Sequence, residues 1–261
     1  MNRTIGRLAA IAVFLIAQAV LAGAAEVKTF STIGVQAALE ELAPKFEKAT
    51  GNKLVITWGT GAGLAKRVQA GESADLLILT RQGVDTLAKD SKLESGTVAN
   101  FASSGMGVAV KKGAAKPDIS TPEAFKNALL AAKTIATSSP SSGGASGAYF
   151  VKLTEKMGIA EAVKAKTKYP PDGSNAVDLV ANGEAELAVA QEPEVKAVAG
   201  ADLVGPFPGD LNNVTIFTAA VGVGSSQAGA AKALIKYLQS PEAAAVFKAR
   251  GLVPAEAPKG S

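Results

Sequence analysis

The sequence contains neither cysteine nor histidine among its 261 residues. The lack of cysteine excludes disulfides, thiolate nucleophiles and cysteine-ligated metal ions. The lack of histidine removes the Ser-His-Asp triad, the most common general base and the usual zinc ligand. The dinucleotide-binding fingerprint Gly-x-Gly-x-x-Gly is also incomplete, because after Gly59 and Gly61 its third glycine would fall at Leu64. We therefore predict no metal, no cofactor and no catalysis.

Neither sign of charge is in large excess. The chain has 27 Lys and Arg and 23 Asp and Glu, so its net charge is +4. Two of the positive charges, Arg3 and Arg7, lie in the N-terminal segment. This balance argues against a nucleic-acid partner. Hydrophobic residues make up 48% of the chain, which is enough to build the core of one large or two modest domains.

The N-terminal segment has the three-part layout of a secretory signal peptide. Its first seven residues carry two arginines and no acid, Leu8–Leu21 is apolar apart from Gln18, and small residues follow. The apolar run is shorter than the roughly 20 residues that span a bilayer, and there is no cysteine to accept a lipid. We predict that residues 1–25 are a leader cleaved after Ala24 or Ala25, which makes the mature protein periplasmic.

Short β-rich runs alternate with helical patterns along the rest of the chain. Leu76–Leu79 and Met106–Val110 are typical of strands, whereas the apolar spacing from Val35 to Phe46 predicts a helix. This alternation favours an α/β fold with sheets rich in parallel strands.

Small hydroxylic residues and glycines collect at four predicted strand-to-helix junctions. A helix N-terminus can hold an anion through its amides, and ligands of α/β sheets gather at the carboxyl ends of strands. Helix capping alone explains any one junction, but four together favour a binding cleft. The candidate ligand contacts at these junctions are Thr32, Thr60, Ser142, Ser146, Ser174 and Asn175.

The order of motifs resembles that of periplasmic substrate-binding proteins of ABC importers, in the branch that includes molybdate-binding proteins. The most specific match is the Ala-Gly-x-x-Ala-Asp string at Ala70–Asp75, and Ser146–Tyr149 and Ser240–Ala244 match later in the same order. The resemblance implies the α/β fold of type II periplasmic binding proteins. In that fold two lobes of mixed sheets flanked by helices close over a ligand cleft by hinge motion.

The same resemblance predicts where the lobes divide. Lobe 1 would comprise residues 26–104 plus 208–254, lobe 2 residues 105–207, and residues 255–261 a tail. Stretches at Ser103–Gly105 and Gly205–Gly209 suit the two hinges.

Several ligand-facing positions of the molybdate-binding relatives differ in this chain. The serines that such relatives offer at the first two junctions fall at Gly34 and Gly61, and their late tyrosine falls at Gln191. Among these positions Ser146 keeps a hydroxyl. The ligand class therefore stays open between a molybdate-like oxyanion and a small organic carboxylate.

Arg81 follows a predicted strand, in the first turn of a predicted helix. A cation there opposes the helix dipole at a cost of roughly 0.3–1 kcal/mol. A guanidinium facing the cleft would suit a carboxylate through two parallel hydrogen bonds. The alternative is an exposed arginine that points away from the junction.

The resemblance implies a periplasmic receptor that captures a small anion, acts as a monomer and delivers its ligand to an inner-membrane ABC permease. Two alternatives remain. In one, the ligand-bound lobes engage a sensor instead of a permease. In the other, the protein is an exported enzyme that works through Asp, Glu or Lys chemistry.

Overall fold

The structure is a computed structural model that describes residues 25–171 and 174–255. The predicted leader up to residue 24, Gly173 and the tail from residue 256 lie outside the described residues.

The strands and helices alternate over most of the described chain. The strands are β1 (Glu26–Thr32), β2 (Lys53–Gly59), β3 (Leu76–Thr80), β4 (Ala99–Ser104), β5 (Met106–Lys111), β6 (Ile135–Thr137), β7 (Thr167–Lys168), β8 (Leu187–Gln191), β9 (Ala201–Pro206), β10 (Thr215–Val221) and β11 (Val253–Pro254). The α-helices are α1 (Gln36–Thr50), α2 (Gly61–Gln69), α3 (Arg81–Lys89), α4 (Pro122–Ala131), α5 (Ala145–Lys156), α6 (Ala160–Lys164), α7 (Ala176–Ala181), α8 (Glu192–Ala197), α9 (Ala228–Leu238) and α10 (Pro241–Ala249). Short 3-10 helices lie at Ile33–Val35 and Gly209–Leu211. None of the described helices is long and apolar enough to cross a membrane.

The strands form two separate sheets. The first has the order β11-β4-β10-β3-β1-β2 and the second the order β7-β6-β8-β5-β9. The chain enters the second sheet after β4 and returns to the first at β10. Because β10 runs antiparallel to β3 and β4, and β5 antiparallel to β8 and β9, both sheets are mixed. The predicted two-lobe α/β fold with mixed sheets is confirmed, although the alternation of elements had suggested more parallel pairing.

Each sheet has its own hydrophobic core. Leu76–Leu79 in β3 is fully buried, as expected for a strand whose two faces are both covered. Phe46, Phe217 and Phe247 belong to a core cluster of the first sheet, whereas Phe125 and Phe207 pack with their rings 4.6 Å apart in the second.

Two strands that the sequence did not reveal lie at the predicted hinges. The residues of β4 are too small and polar for their pattern to predict a strand. This strand is stabilised by its antiparallel pairing with β10 on one side and β11 on the other. Gly205, within the second hinge stretch, pairs with Val108 as part of β9. The boundary residues of the two lobes stay a prediction.

Candidate functional site

A small cavity of about 30 Å³, here called the central cavity, lies where strands of both sheets end. β1 and β3 end at it from the first sheet, and β6 and β8 from the second. Its lining residues are Thr32, Ile33, Gly34, Thr60, Gly61, Thr80, Ser138, Gly144, Ala145, Ser146, Gln191, Glu194, Thr215 and Phe217.

Helix N-termini surround the central cavity. The first sheet contributes the starts of α2 and α3, and the second sheet contributes the start of α5. Thr60 caps α2 by accepting the N–H of Gly63 at 3.1 Å, and Thr80 caps α3 by accepting the N–H of Gly83 at 3.4 Å. The first amides of a helix lack partners within the helix and form the positive end of its dipole. The cavity is therefore suited to negative charge.

The start of α5 forms a hydroxyl-rich corner of the cavity. Ser138 and Ser146 share a hydrogen bond of 2.8 Å between their Oγ atoms. The N–H of Gly147 donates to Ser138 Oγ at 3.0 Å, which holds that hydroxyl against the helix start. The corner presents two mutually oriented hydroxyl groups to any ligand in the cavity.

Two hydrogen bonds join the sheets across the central cavity. The Nε2 of Gln191 in β8 donates to the Oγ1 of Thr215 in β10 at 2.8 Å. The Oγ1 of Thr60 donates to the backbone carbonyl of Ser142. Gln191 is 4% exposed, and its Oε1 has no hydrogen-bond partner within the described residues. A buried acceptor without a partner is unfavourable, so this oxygen is a candidate acceptor for a donor group of a ligand, such as a hydroxyl.

Glu194 is the ionisable residue among those lining the cavity in the described chain. It occupies the third position of α8, and the backbone N–H of Gln191 at the helix cap donates to its carboxylate, as in a capping box. Burial outweighs that bond and raises the pKa of Glu194 to about 7. The carboxyl group can therefore exchange a proton near neutral pH.

Gly34 lies directly against the ring of Phe217. A Cβ atom at Gly34 would come within 2.9 Å of two ring carbons of Phe217 and 3.6 Å of a carboxylate oxygen of Glu194. Phe217 is 1% exposed and belongs to the core of the first sheet. Its ring thus occupies the space beside a position where molybdate-binding relatives are expected to carry serine.

Restoring that serine with Gly34→Ser is expected to lower the free energy of unfolding by about 1–3 kcal/mol, because the new Cβ overlaps the Phe217 ring. The double variant Gly34→Ser/Phe217→Leu is expected to lose less than the sum of the two single losses. Urea denaturation of the four proteins of this cycle measures the coupling. Strict additivity would contradict the proposed contact.

Two open grooves flank the central cavity and differ in charge. The acidic groove, of about 640 Å³, meets the cavity at Ile33, Gly34 and Glu194. It is also lined by Glu40, Glu41, Asp178 and Arg250, and Arg250 is paired with Glu41 at 2.8 Å.

The basic groove, of about 370 Å³, meets the cavity at Thr80, Ala145 and Thr215. Its charged side chains are Arg81 and Lys152.

Nine of the ten predicted contact residues fall into three places, and Arg81 lies in a fourth. Those that line the central cavity are Thr32, Gly34, Thr60, Gly61, Ser146 and Gln191. Ser174 and Asn175 line the acidic groove, where the Nδ2 of Asn175 donates to the carbonyl of Glu194 at 2.9 Å. Ser142 contributes its carbonyl to the bond with Thr60. Whether these residues contact a ligand stays a prediction.

Arg81 lies in the basic groove, outside the lining of the central cavity. Its Nε donates to Asp85 at 2.7 Å, and its side chain is 46% exposed. Arg81 is exposed and lines the basic groove beside the central cavity. Its role as a carboxylate clamp stays a prediction.

Sequence reasoning missed Thr80, Ser138, Glu194, Thr215 and Phe217 among the lining residues. The strand pattern of the sequence could have revealed two of them, because Thr80 ends β3 and Ser138 directly follows β6. Among the described residues, no group of three or more acidic side chains could hold a metal ion.

The family described as bacterial extracellular solute-binding protein matches residues 27–253. An aconitate isomerase of Pseudomonas sp is 33% identical over 258 residues, covering 95% of this chain and 96% of that protein. The molybdate-binding protein ModA of Escherichia coli is 27% identical over 240 residues, covering 91% and 93%. The solved structure of the periplasmic molybdate-binding protein of Azotobacter vinelandii superposes with a TM-score of 0.73 at 19% identity, covering 88% and 100%.

The resemblance to molybdate-binding proteins inferred from the motifs is confirmed by these matches. They also bring in a relative named for an isomerase, so chains similar to this one include a named enzyme as well as binding proteins. Since the family match spans nearly the whole described chain, the chain belongs to the bacterial extracellular solute-binding protein family.

Proposed function

We propose that the protein is the periplasmic receptor of an ABC importer and captures a small organic carboxylate in the central cavity. The observation that carries the proposal is the convergence of helix N-termini and hydroxyl groups from both sheets on one small cavity. Amides and hydroxyls donate hydrogen bonds to a carboxylate without needing a cationic side chain. Closure of the lobes around the ligand would create the surface that an inner-membrane permease recognises.

The side chains at the cavity favour a carboxylate over molybdate. Two serine positions of molybdate-binding relatives are glycines here, and the ring of Phe217 lies against one of them. Gln191 stands at the tyrosine position and binds Thr215 instead. The relative named aconitate isomerase bears the name of an organic carboxylate, and it is more similar to this chain than the molybdate-binding proteins reported above. These relatives do not favour the alternative in which a sensor is the partner.

A thermal-shift screen tests the ligand class, because a ligand that binds only the folded state raises the melting temperature. Citrate, aconitate and malonate are expected to raise it more than molybdate, sulfate or phosphate. Ser146→Ala is expected to reduce the shift, since it removes one hydroxyl of the cavity corner.

The matched control is Ser141→Ala, which removes an exposed hydroxyl of the same loop that bonds Ser139 outside the cavity. It should leave the shift unchanged. A shift produced by tetrahedral oxyanions alone, or an equal effect of both substitutions, would overturn the proposal.

Glu194 favours a second function, isomerisation of an unsaturated carboxylate. With a pKa raised to about 7, its carboxylate can take a proton from a CH2 group beside a ligand carboxylate. The released electron pair spreads into the neighbouring carbon–carbon double bond. Return of the proton from Glu194 to the far carbon moves the double bond and regenerates the carboxylate, so no cofactor is consumed. The nearby helix N-termini would stabilise the transient negative charge.

Proton NMR in deuterated water tests this second function. An isomerase would convert cis- to trans-aconitate and incorporate solvent deuterium at the reacting carbons. Glu194→Gln should abolish both processes while still binding the ligand. If the wild-type protein binds aconitate without exchange or conversion, it is a receptor only.

A further inference from the structure

We propose that the basic groove is an outer subsite, which holds the second carboxylate of a di- or tricarboxylate whose first carboxylate lies in the central cavity. This inference rests on the proposed capture of a carboxylate, and it narrows the ligand class to anions with two or more carboxylates.

Size requires the ligand to extend beyond the central cavity. A volume of about 30 Å³ accommodates about two water-sized groups, which corresponds to the two oxygens of one carboxylate. The remainder of a larger acid must enter one of the two flanking grooves. Both grooves are continuous with the cavity, because each shares three lining residues with it.

Charge selects the basic groove over the acidic groove. The acidic groove carries the carboxyl groups of Glu40, Glu41, Asp178 and Glu194 against one cation, Arg250, which is paired with Glu41. A second carboxylate there would meet charges of the same sign. The basic groove instead offers Arg81 and Lys152 from the two sides of the cleft, against the one carboxylate of Asp85 that pairs with Arg81, so its charge is net positive.

The two cations of the basic groove are available to a ligand. Asp85 binds the Nε of Arg81 at 2.7 Å, which orients the guanidinium and leaves its other nitrogens for a carboxylate. Lys152 has no salt-bridge partner among the described residues and projects from α5. Arg81 lies on α3 of the first sheet and Lys152 on α5 of the second, so a ligand that contacts both would hold the lobes together.

Isothermal titration calorimetry with tricarballylate and with acetate tests the subsite. Wild type is expected to bind the tricarboxylate more tightly than the monocarboxylate. Arg81→Ala should weaken tricarballylate binding about tenfold and Lys152→Ala about fivefold, because both cations are exposed and partly screened by water. Acetate binding should change less than twofold in either variant. Added salt should reduce the difference between wild type and the variants.

Lys89→Ala on α3 and Lys156→Ala on α5 are matched controls, since each removes one exposed positive charge outside the groove. Both should bind tricarballylate like wild type. If tricarballylate binds and Arg81→Ala and Lys152→Ala leave its affinity unchanged, the outer subsite is wrong while carboxylate capture stands. If wild type binds neither acid, both proposals fail together.

Discussion

Gly147→Ala is expected to abolish ligand binding and to destabilise the second lobe. A Cβ atom on Gly147 would overlap the backbone carbonyl oxygen of Ser138, which a backbone shift alone can relieve. That shift would break the bond from the Gly147 N–H to Ser138 Oγ and separate the Ser138 and Ser146 hydroxyls. Overpacking of this kind costs about 1–3 kcal/mol of stability, with more where backbone must move.

The effect on binding should exceed the effect on folding, because the affected corner lines the central cavity. Circular dichroism during heating measures the stability, and calorimetric titration with citrate measures the binding. Gly229→Ala is the control: a Cβ there meets no atom within 4 Å, and helical alanine should raise stability by up to about 1 kcal/mol. A Gly147→Ala protein that binds citrate normally would contradict the assigned role of this corner.

The residues that build this corner show what sequence patterns can identify. Ser146 follows from its place at a glycine-rich junction after a strand, because strand ends and helix starts mark ligand sites in α/β sheets. Thr32 and Thr60 follow in the same way, and both line the cavity. Such positions depend on local chain order, which the sequence contains.

Other residues at the cavity depend on packing between distant segments. Phe217 is an ordinary core residue by its pattern, and its ring reaches the cavity because Gly34 leaves room for it. Thr215 enters through the antiparallel strand β10, far along the chain from Gln191. Arg81 could be placed at a helix start from sequence, but its bond to Asp85 sets its direction. No local sequence pattern predicts these contacts.

Glu194→Gln is expected to remove the pH dependence of anion binding. Ionised Glu194 repels an anion in the cavity, whereas protonated Glu194 can donate a hydrogen bond to it. With a pKa raised to about 7, the protonated fraction of Glu194 falls as pH rises through neutrality. If the anion binds only to protein with protonated Glu194, the apparent dissociation constant at about pH 8.5 should be about thirtyfold larger than that of the protonated protein. Glu194→Gln, which is always neutral, should show no such loss.

Calorimetric titration with citrate between about pH 6.5 and about pH 8.5 measures this dependence, because an unperturbed protein carboxyl group titrates well below that window. The last ionisation of citrate falls near the lower end of the window, and the Glu194→Gln profile measured in parallel corrects for it. The other acids near Glu194 are Glu40, Glu41 and Asp178 in the acidic groove and Glu192 on the same helix. The pKa of Glu41 is lowered by its bond to Arg250, so it stays ionised throughout. Parallel pH profiles in wild type and Glu194→Gln would show that Glu194 does not face the anion.

The raised pKa of Glu194 should also make the free energy of unfolding depend on pH. Because the folded-state pKa of Glu194 lies above its unfolded value of 4.5, the folded protein binds more protons between these values. The contribution of Glu194 to stability is thus fully present below pH 4.5 and is lost as pH rises to about 7. Denaturation with urea should find Glu194→Gln increasingly stable relative to wild type across this window.

Calorimetric titration of the wild-type protein with citrate, aconitate and molybdate at neutral pH decides whether the protein captures a carboxylate or an inorganic oxyanion. We expect saturable binding of at least one of the two carboxylates with one ligand per chain, and weaker or undetectable binding of molybdate. Saturable binding of molybdate without binding of either carboxylate would contradict the proposed capture of a carboxylate.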